Sequence, residues 1–172
     1  MNYIDIAELA QPVSRLVLGG PFGERSDAES FRILDRFVEL GGTAIETAHS
    51  YIQGSAESQI GRWLQKRDCR DRVVLITKVC HPPMGEPASM VNFHEELNVS
   101  LARLGVDTID ILLLHRDPAR MPSLHVIEML EERRAQRSIL AYGISNMLGD
   151  RIAEFERATE AFGVPPLAII SN

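Results

Sequence analysis

"TIDILLLHR", residues 108–116, carries four apolar residues in succession, Ile111 to Leu114, and ends on a histidine and an arginine. A strand with one wet face alternates apolar and polar side chains. An unbroken apolar run must be covered on both faces, as in a parallel sheet flanked by helices. "VVLI" at 73–76 reads the same way. Parallel neighbours need a crossover of a dozen or more residues, and an amphipathic segment separates each apolar run from the next.

Working outward from that stretch, strands are expected at 15–20, 43–48, 72–79, 108–116, 140–146 and 166–172. Helices are expected near 27–41, 55–67, 89–105, 123–138 and 149–163. Ser26 and Glu29 have the S-x-x-E spacing in which each side chain satisfies a free N–H at a helix start, and Gly41 suits the far end of that helix. Phe93, Leu97, Leu101 and Leu104 recur at helical spacing and make one apolar face. The unit is βα, five times over, with a sixth strand after it. Two α/β architectures accommodate such repeats: a doubly wound open sheet and a (β/α)8 barrel. "GGPFGE" at 19–24 lacks the G-x-G-x-x-G spacing of a dinucleotide-binding turn, so Gly19, Gly20 and Gly23 read equally well as a tight turn or as a cofactor contact.

Composition narrows the function. The 172 residues are 45% hydrophobic and 24% charged, with a formal net charge of −6 and no basic block. Nucleic acid and anionic membranes require clustered Lys and Arg, so neither is expected as a partner. "MNYIDIAELA" does not resemble a secretory signal, and no apolar run approaches the roughly 20 residues of a membrane span. Cys69 and Cys80 form no C-x-x-C pair and read as reduced thiols of a cytoplasmic protein. No metal site is expected, since His49, His81, His94 and His125 lack ligand spacing and read as loop or surface groups; His49 alone is placed near the substrate pocket. "EERRAQR" at 131–137 reads as a solvated face and Trp63 as a packing residue. "HPPMGEPAS" at 81–89 reads as a helix stop bordering the pocket.

In a barrel, function gathers at the C-terminal ends of the strands. Here those ends carry Glu46 with Tyr51 shortly after it, then Lys78, His115, Ser145 with Asn146, and Ser171 with Asn172. The types complement one another. A phenol has an ordinary pKa near 10, and an adjacent ammonium favours its ionised form. At about 4 Å and an effective dielectric near 20, that attraction is worth roughly 4 kcal/mol. A carboxylate keeps the lysine charged and in place, and a neutral imidazole orients a carbonyl oxygen. Such a group is a general-acid site for carbonyl reduction, given a hydride source.

Four stretches in order resemble the aldo/keto reductase family. "ETAHSY" (46–51) stands where the family has an aspartate and, at the same separation, a tyrosine. "LITK" (75–78) carries a lysine at the family position. "LARLGVDTIDILLLHRDP" (101–118) matches the family signature that ends on a histidine, and "YGISNM" (142–147) matches the strand whose Ser and Asn hold a nicotinamide carboxamide. The resemblance runs from about residue 14 to the end. It implies a (β/α)8 TIM barrel, here an incomplete one of six strands and five helices forming a single partial domain over 1–172. It also implies reduction of an aldehyde or ketone by NADPH or NADH. In that reading Tyr51 is the proton donor, Lys78 makes the phenol a better acid, His115 orients the carbonyl and Glu46 pairs with Lys78. Gly20, Ser145, Asn146 and Asn172 make up the cofactor-binding set.

Two departures carry expectations. Glu46 is one methylene longer than the family aspartate, and a misplacement of about 1 Å can cost about 10²-fold, so a slower site is expected. A full barrel takes around 250 residues, and the family's grip on the cofactor phosphates comes largely from later segments. Weak NADPH binding by the isolated chain, or none, is therefore expected, as is self-association through open strand edges. Two readings compete with the reductase: a non-catalytic half-barrel that binds a partner or a second copy, and a Schiff-base lyase using Lys78.

Overall fold

A computed structural model describes residues 1–20 and 22–172. An antiparallel hairpin of β1 (Tyr3–Ile4) and β2 (Val13–Ser14) comes first. Then follow β3 (Val17–Leu18), α1 (Asp27–Glu39), β4 (Ala44–Glu46), α2 (Ser55–Arg67), β5 (Val74–Val79), α3 (Phe93–Leu104), β6 (Ile109–Leu114), α4 (Ser123–Ala135), β7 (Ile139–Ser145), α5 (Gly149–Phe162) and β8 (Ile170–Ser171). Among the described residues six strands pair in parallel, in the order β3-β4-β5-β6-β7-β8. Spatial order equals chain order, without the reversal that defines a doubly wound sheet. The sheet curls into an incomplete (β/α)8 barrel with its helices outside.

The continuous apolar runs supply both faces. Leu75, Val79, Leu112, Leu114 and Ile144 point outward and pack with Ile60, Trp63, Phe93, Leu97, Leu130 and Phe155 of the helices. Val74, Ile76, Ile111, Leu113 and Ala141 point inward, where Val13, Ile6 and Leu9 of the N-terminal segment join them. Each fully buried side chain of this size contributes about 1.5–3 kcal/mol. The hairpin is fastened at the N-terminal end of β4, where the Ser14 hydroxyl oxygen accepts from the Thr43 and Ala44 amides at 3.0 and 3.1 Å.

Helix α1 starts as its sequence dictates. Ser26 Oγ accepts from the Glu29 amide at 3.3 Å while Glu29 Oε2 accepts from the Ser26 amide at 3.2 Å. Trp63 is buried with its indole N–H donated to Asp35. At β7 a side chain on Gly143 would collide with the Ile169 carbonyl, so glycine lets the last strand approach.

Several boundaries differ from the sequence reading. The first and last parallel strands pair over two residues each, and the N-terminal hairpin was not foreseen. Helix α3 starts at Phe93, four residues later than expected, because residues 89–93 fold into a turn of their own, the Val91 amide donating to Ser89 Oγ at 3.1 Å and the Phe93 amide to the Met90 carbonyl at 3.1 Å. Helix α4 ends at Ala135 because Arg137 turns left-handed (φ 60°) and the Ser138 amide folds back to the Arg133 carbonyl. The run 131–137 is not wholly solvated either: Glu131 accepts a 2.8 Å bond from the hydroxyl of the buried Tyr142, and burial pushes that phenol well above its ordinary range.

Candidate active site

Successive strand residues face opposite sides, so parity decides which strand-end groups meet. Ala44, Val74 and Ile111 face the barrel interior. Two residues on from Ala44 is Glu46; four on from Val74 is Lys78; four on from Ile111 is His115. All three therefore point inward at the C-terminal end of the sheet. The register pairs Glu46 with Ile76 and Lys78 with Leu113, which sets the lysine one inward position above the glutamate on the adjacent strand.

Beyond β4 the chain stays beside β5 through bonds from the Thr47 amide to the Ile76 carbonyl and from the His49 amide to the Lys78 carbonyl. It then reverses in a 3-10 turn, Tyr51–Gly54, in which Ile52 (φ 48°), Gln53 (φ 53°) and Gly54 (φ 87°) are all left-handed. The turn brings Tyr51 back over β5, and Lys78 Nζ donates to the Tyr51 hydroxyl oxygen at 3.0 Å. The same nitrogen donates to Glu46 Oε1 at 2.6 Å and to the Thr47 carbonyl at 3.2 Å. An ammonium has three hydrogens, and these three acceptors use them. Lys78 is 3% exposed, and its head group is thus fixed in direction. Because the phenol oxygen accepts from Lys78, its own hydrogen remains available elsewhere. The extra methylene of Glu46 does not displace its carboxylate from the lysine.

His115 is buried beside this group, its ring 5.5 Å from that of Tyr51 and edge-on. Burial first, then the charges of Lys78, His81 and Arg116, lower its pKa to about 3. At neutral pH the ring is uncharged, with one N–H to donate. Tyr51, His115, Gly20 and Asn146 border one open cleft of about 750 Å³. Glu46 and Asn172 border the interior beneath it, a space of about 370 Å³.

At the end of β7, Asn146 is left-handed (φ 58°), a conformation asparagine tolerates. Its amide nitrogen donates to Ser145 Oγ at 2.7 Å and to the His115 carbonyl at 3.1 Å. Two groups stay free of protein partners among the described residues: the Ser145 hydroxyl hydrogen and the Asn146 side-chain carbonyl. Asn172 Oδ1 accepts from the Met147 amide at 3.0 Å. Gly20 is exposed, and a side chain there would make only ordinary contact with Phe22. Gly23, by contrast, is structural: at φ 92° a Cβ would press on the backbone of Ser55 and Ala56.

One histidine differs from its sequence reading. His49 turns away from the cleft, its Nδ1 3.2 Å from Ser100 Oγ on α3. His81 is the exposed loop residue expected, and as part of the stretch 81–89 it borders the cleft, its ring centroid 4.6 Å from that of His115. The cause is Cys80, left-handed at φ 64° with its amide held by Glu96 at 2.6 Å; burial pushes its thiol up to about 12.

The sequence pattern that defines the aldo/keto reductase family matches residues 15–171. Curated relatives include an aryl-alcohol dehydrogenase of Pestalotiopsis microspora, 34% identical over 63% of this chain and 32% of its own length. Norsolorinic acid reductase A of Aspergillus parasiticus is 29% identical over 87% of this chain and 41% of its own. Norsolorinic acid reductase B of Dothistroma septosporum is 33% identical over 67% and 34%. The match thus spans between about a third and two fifths of the length of these three relatives.

Proposed function

The chain belongs to the aldo/keto reductase family, and we propose that it carries the proton-donating part of an NAD(P)H-dependent reductase that converts an aldehyde or ketone to its alcohol. The observation that supports this best is the three-way engagement of Lys78 by Glu46, the Thr47 carbonyl and Tyr51. When bound, the reduced nicotinamide supplies the hydride.

The chain's own residues supply the rest. Tyr51 gives its hydroxyl proton to the carbonyl oxygen as that oxygen gains charge. The phenolate left behind accepts from the Lys78 ammonium, which is already 3.0 Å away and needs no reorganisation. Glu46 and the Thr47 carbonyl hold that ammonium in direction. His115, neutral through burial and neighbouring charge, offers its N–H to the same carbonyl oxygen and steers it toward the phenol. General acid help of this kind contributes about 10²–10⁴-fold.

The cofactor fits the free groups at β7. A primary carboxamide offers one acceptor and two donors, and the Ser145 O–H with the Asn146 carbonyl is the complementary pair. Gly20 and Asn172 flank the same end of the sheet. A Schiff-base role for Lys78 gains no support, since an attacking amine would have to surrender bonds it now donates. The name of one relative, an aryl-alcohol dehydrogenase, points to an aromatic alcohol and hence to the matching aromatic aldehyde as a substrate to try. The test is to incubate the chain with NADPH and an aromatic aldehyde and to measure alcohol formed. Formation in step with nicotinamide oxidation supports the reading; no alcohol at saturating cofactor overturns it.

A further inference from the structure

The turn that carries Tyr51 has a backbone that its sequence does not favour. Ile52 at φ 48° is β-branched, and left-handed geometry at such a residue is an outlier. Strain of this kind persists only where the surroundings over-determine it. Here one guanidinium does so. Arg103, on α3, donates from Nη1 to the His49 carbonyl at 3.0 Å and pairs with Glu57 Oε2 at 3.3 Å. Its planar group lies directly under Gly54, where any side chain would collide with it. Glu57 is fully buried, and its other oxygen accepts from Thr77 Oγ1 at 2.7 Å. Thr77 precedes Lys78 on β5. One network therefore runs from the turn that presents the phenol to the strand that presents the ammonium, on the side of the sheet away from the cleft.

We infer that Arg103 and Glu57 are positioning residues that fix the Tyr51 turn against β5 and so set the Tyr51–Lys78 contact. Neither reaches the cleft's reacting groups. They act through the backbone of residues 49–54 and through Thr77. The inference rests on the reading of Tyr51 as proton donor, and its test separates the two. A buried ion pair replaced on both sides by neutral groups of similar volume is usually tolerated, whereas removing one partner leaves a stranded charge. The variant of choice is therefore the double substitution Arg103→Met/Glu57→Gln.

The readout is the ring-carbon NMR signal of Tyr51 in protein labelled at the tyrosine carbon that bears the hydroxyl, assigned by its loss in Tyr51→Phe. Tyr3 and Tyr142 serve as internal references. Lys78→Met defines how far the signal moves when the ammonium contact is lost. The double variant is expected to move the Tyr51 signal at least half as far and in the same direction, with Tyr3 and Tyr142 unmoved. Arg103→Lys, which keeps the charge but not the plane beneath Gly54, is the second variant should the double one not fold, and a smaller movement in the same direction is expected. A Tyr51 signal that stays put in either folded variant, while Lys78→Met moves it, overturns the positioning role and leaves the proton-donor reading standing. A signal that does not respond to Lys78→Met overturns both.

Discussion

Glu46 Oε1 lies 2.6 Å from Lys78 Nζ, although the carboxylate sits on a side chain one methylene longer than the aspartate common in the family. Strand β4 ends at Glu46 and pairs it with Ile76, so the glutamate reaches up one inward position to the lysine. Glu46→Asp would withdraw the carboxylate by about 1 Å. Turnover is expected to fall about tenfold or more, read as the rate of nicotinamide oxidation with an aromatic aldehyde. A faster variant would show that the native carboxylate is misplaced.

Lys78→Met separates activity from stability. The substitution removes one partner of an ion pair and strands the other, but the Glu46 side chain is 27% exposed and can turn to water, so the cost falls short of that of a fully buried charge. The expected outcome is a folded protein whose melting temperature is modestly lowered, together with a loss of turnover of about 10²–10³-fold that the loss of stability does not explain. Calorimetry and a nicotinamide assay on the same preparation decide the point.

How much of this was legible in the sequence follows from what each feature depends on. Uninterrupted apolar runs at 73–76 and 111–114 require two covered faces, so the parallel sheet could be read directly. Period-two parity then carries Glu46, Lys78 and His115 to one face without further information. The two-residue strands β1 and β2 gave no periodic signal because so few residues pair, whereas β3 and β8 lie inside the expected strands 15–20 and 166–172 and are only shorter. The direction of the His81 ring was not legible because it depends on a left-handed Cys80, and cysteine gives no local sign of that geometry. Glu57 and Arg103 lie 46 positions apart, and only the packing of α2 on α3 joins them.

His115 makes stability depend on pH. Its pKa in the folded chain is about 3, against an ordinary value of 6.5. The folded state thus resists protonation, and the stability present above about pH 6.5 is lost as pH falls toward 3. From pH 7 to pH 5 the loss from this residue is about 2 kcal/mol. Urea unfolding at both pH values should show that difference, and His115→Asn should reduce it. An identical pH dependence in the variant would show that the imidazole is readily protonated in the fold.

Ser145→Ala removes the hydroxyl assigned to the nicotinamide carboxamide while the Asn146 amide keeps its bond to the His115 carbonyl. One hydrogen bond of this kind is worth about 1 kcal/mol. The Michaelis constant for the cofactor is expected to rise about five- to tenfold with that for the aldehyde unchanged. Equal effects on both would place the hydroxyl outside the carboxamide contact.

The proton donor itself is tested by Tyr51→Phe. The substitution keeps the ring that sits edge-on to His115 and removes only the hydroxyl that Lys78 addresses. At saturating NADPH and a fixed aromatic aldehyde, turnover of the variant is predicted to fall by at least about 10²-fold with cofactor affinity unchanged. Native and variant chains that reduce the aldehyde at the same rate would contradict the account.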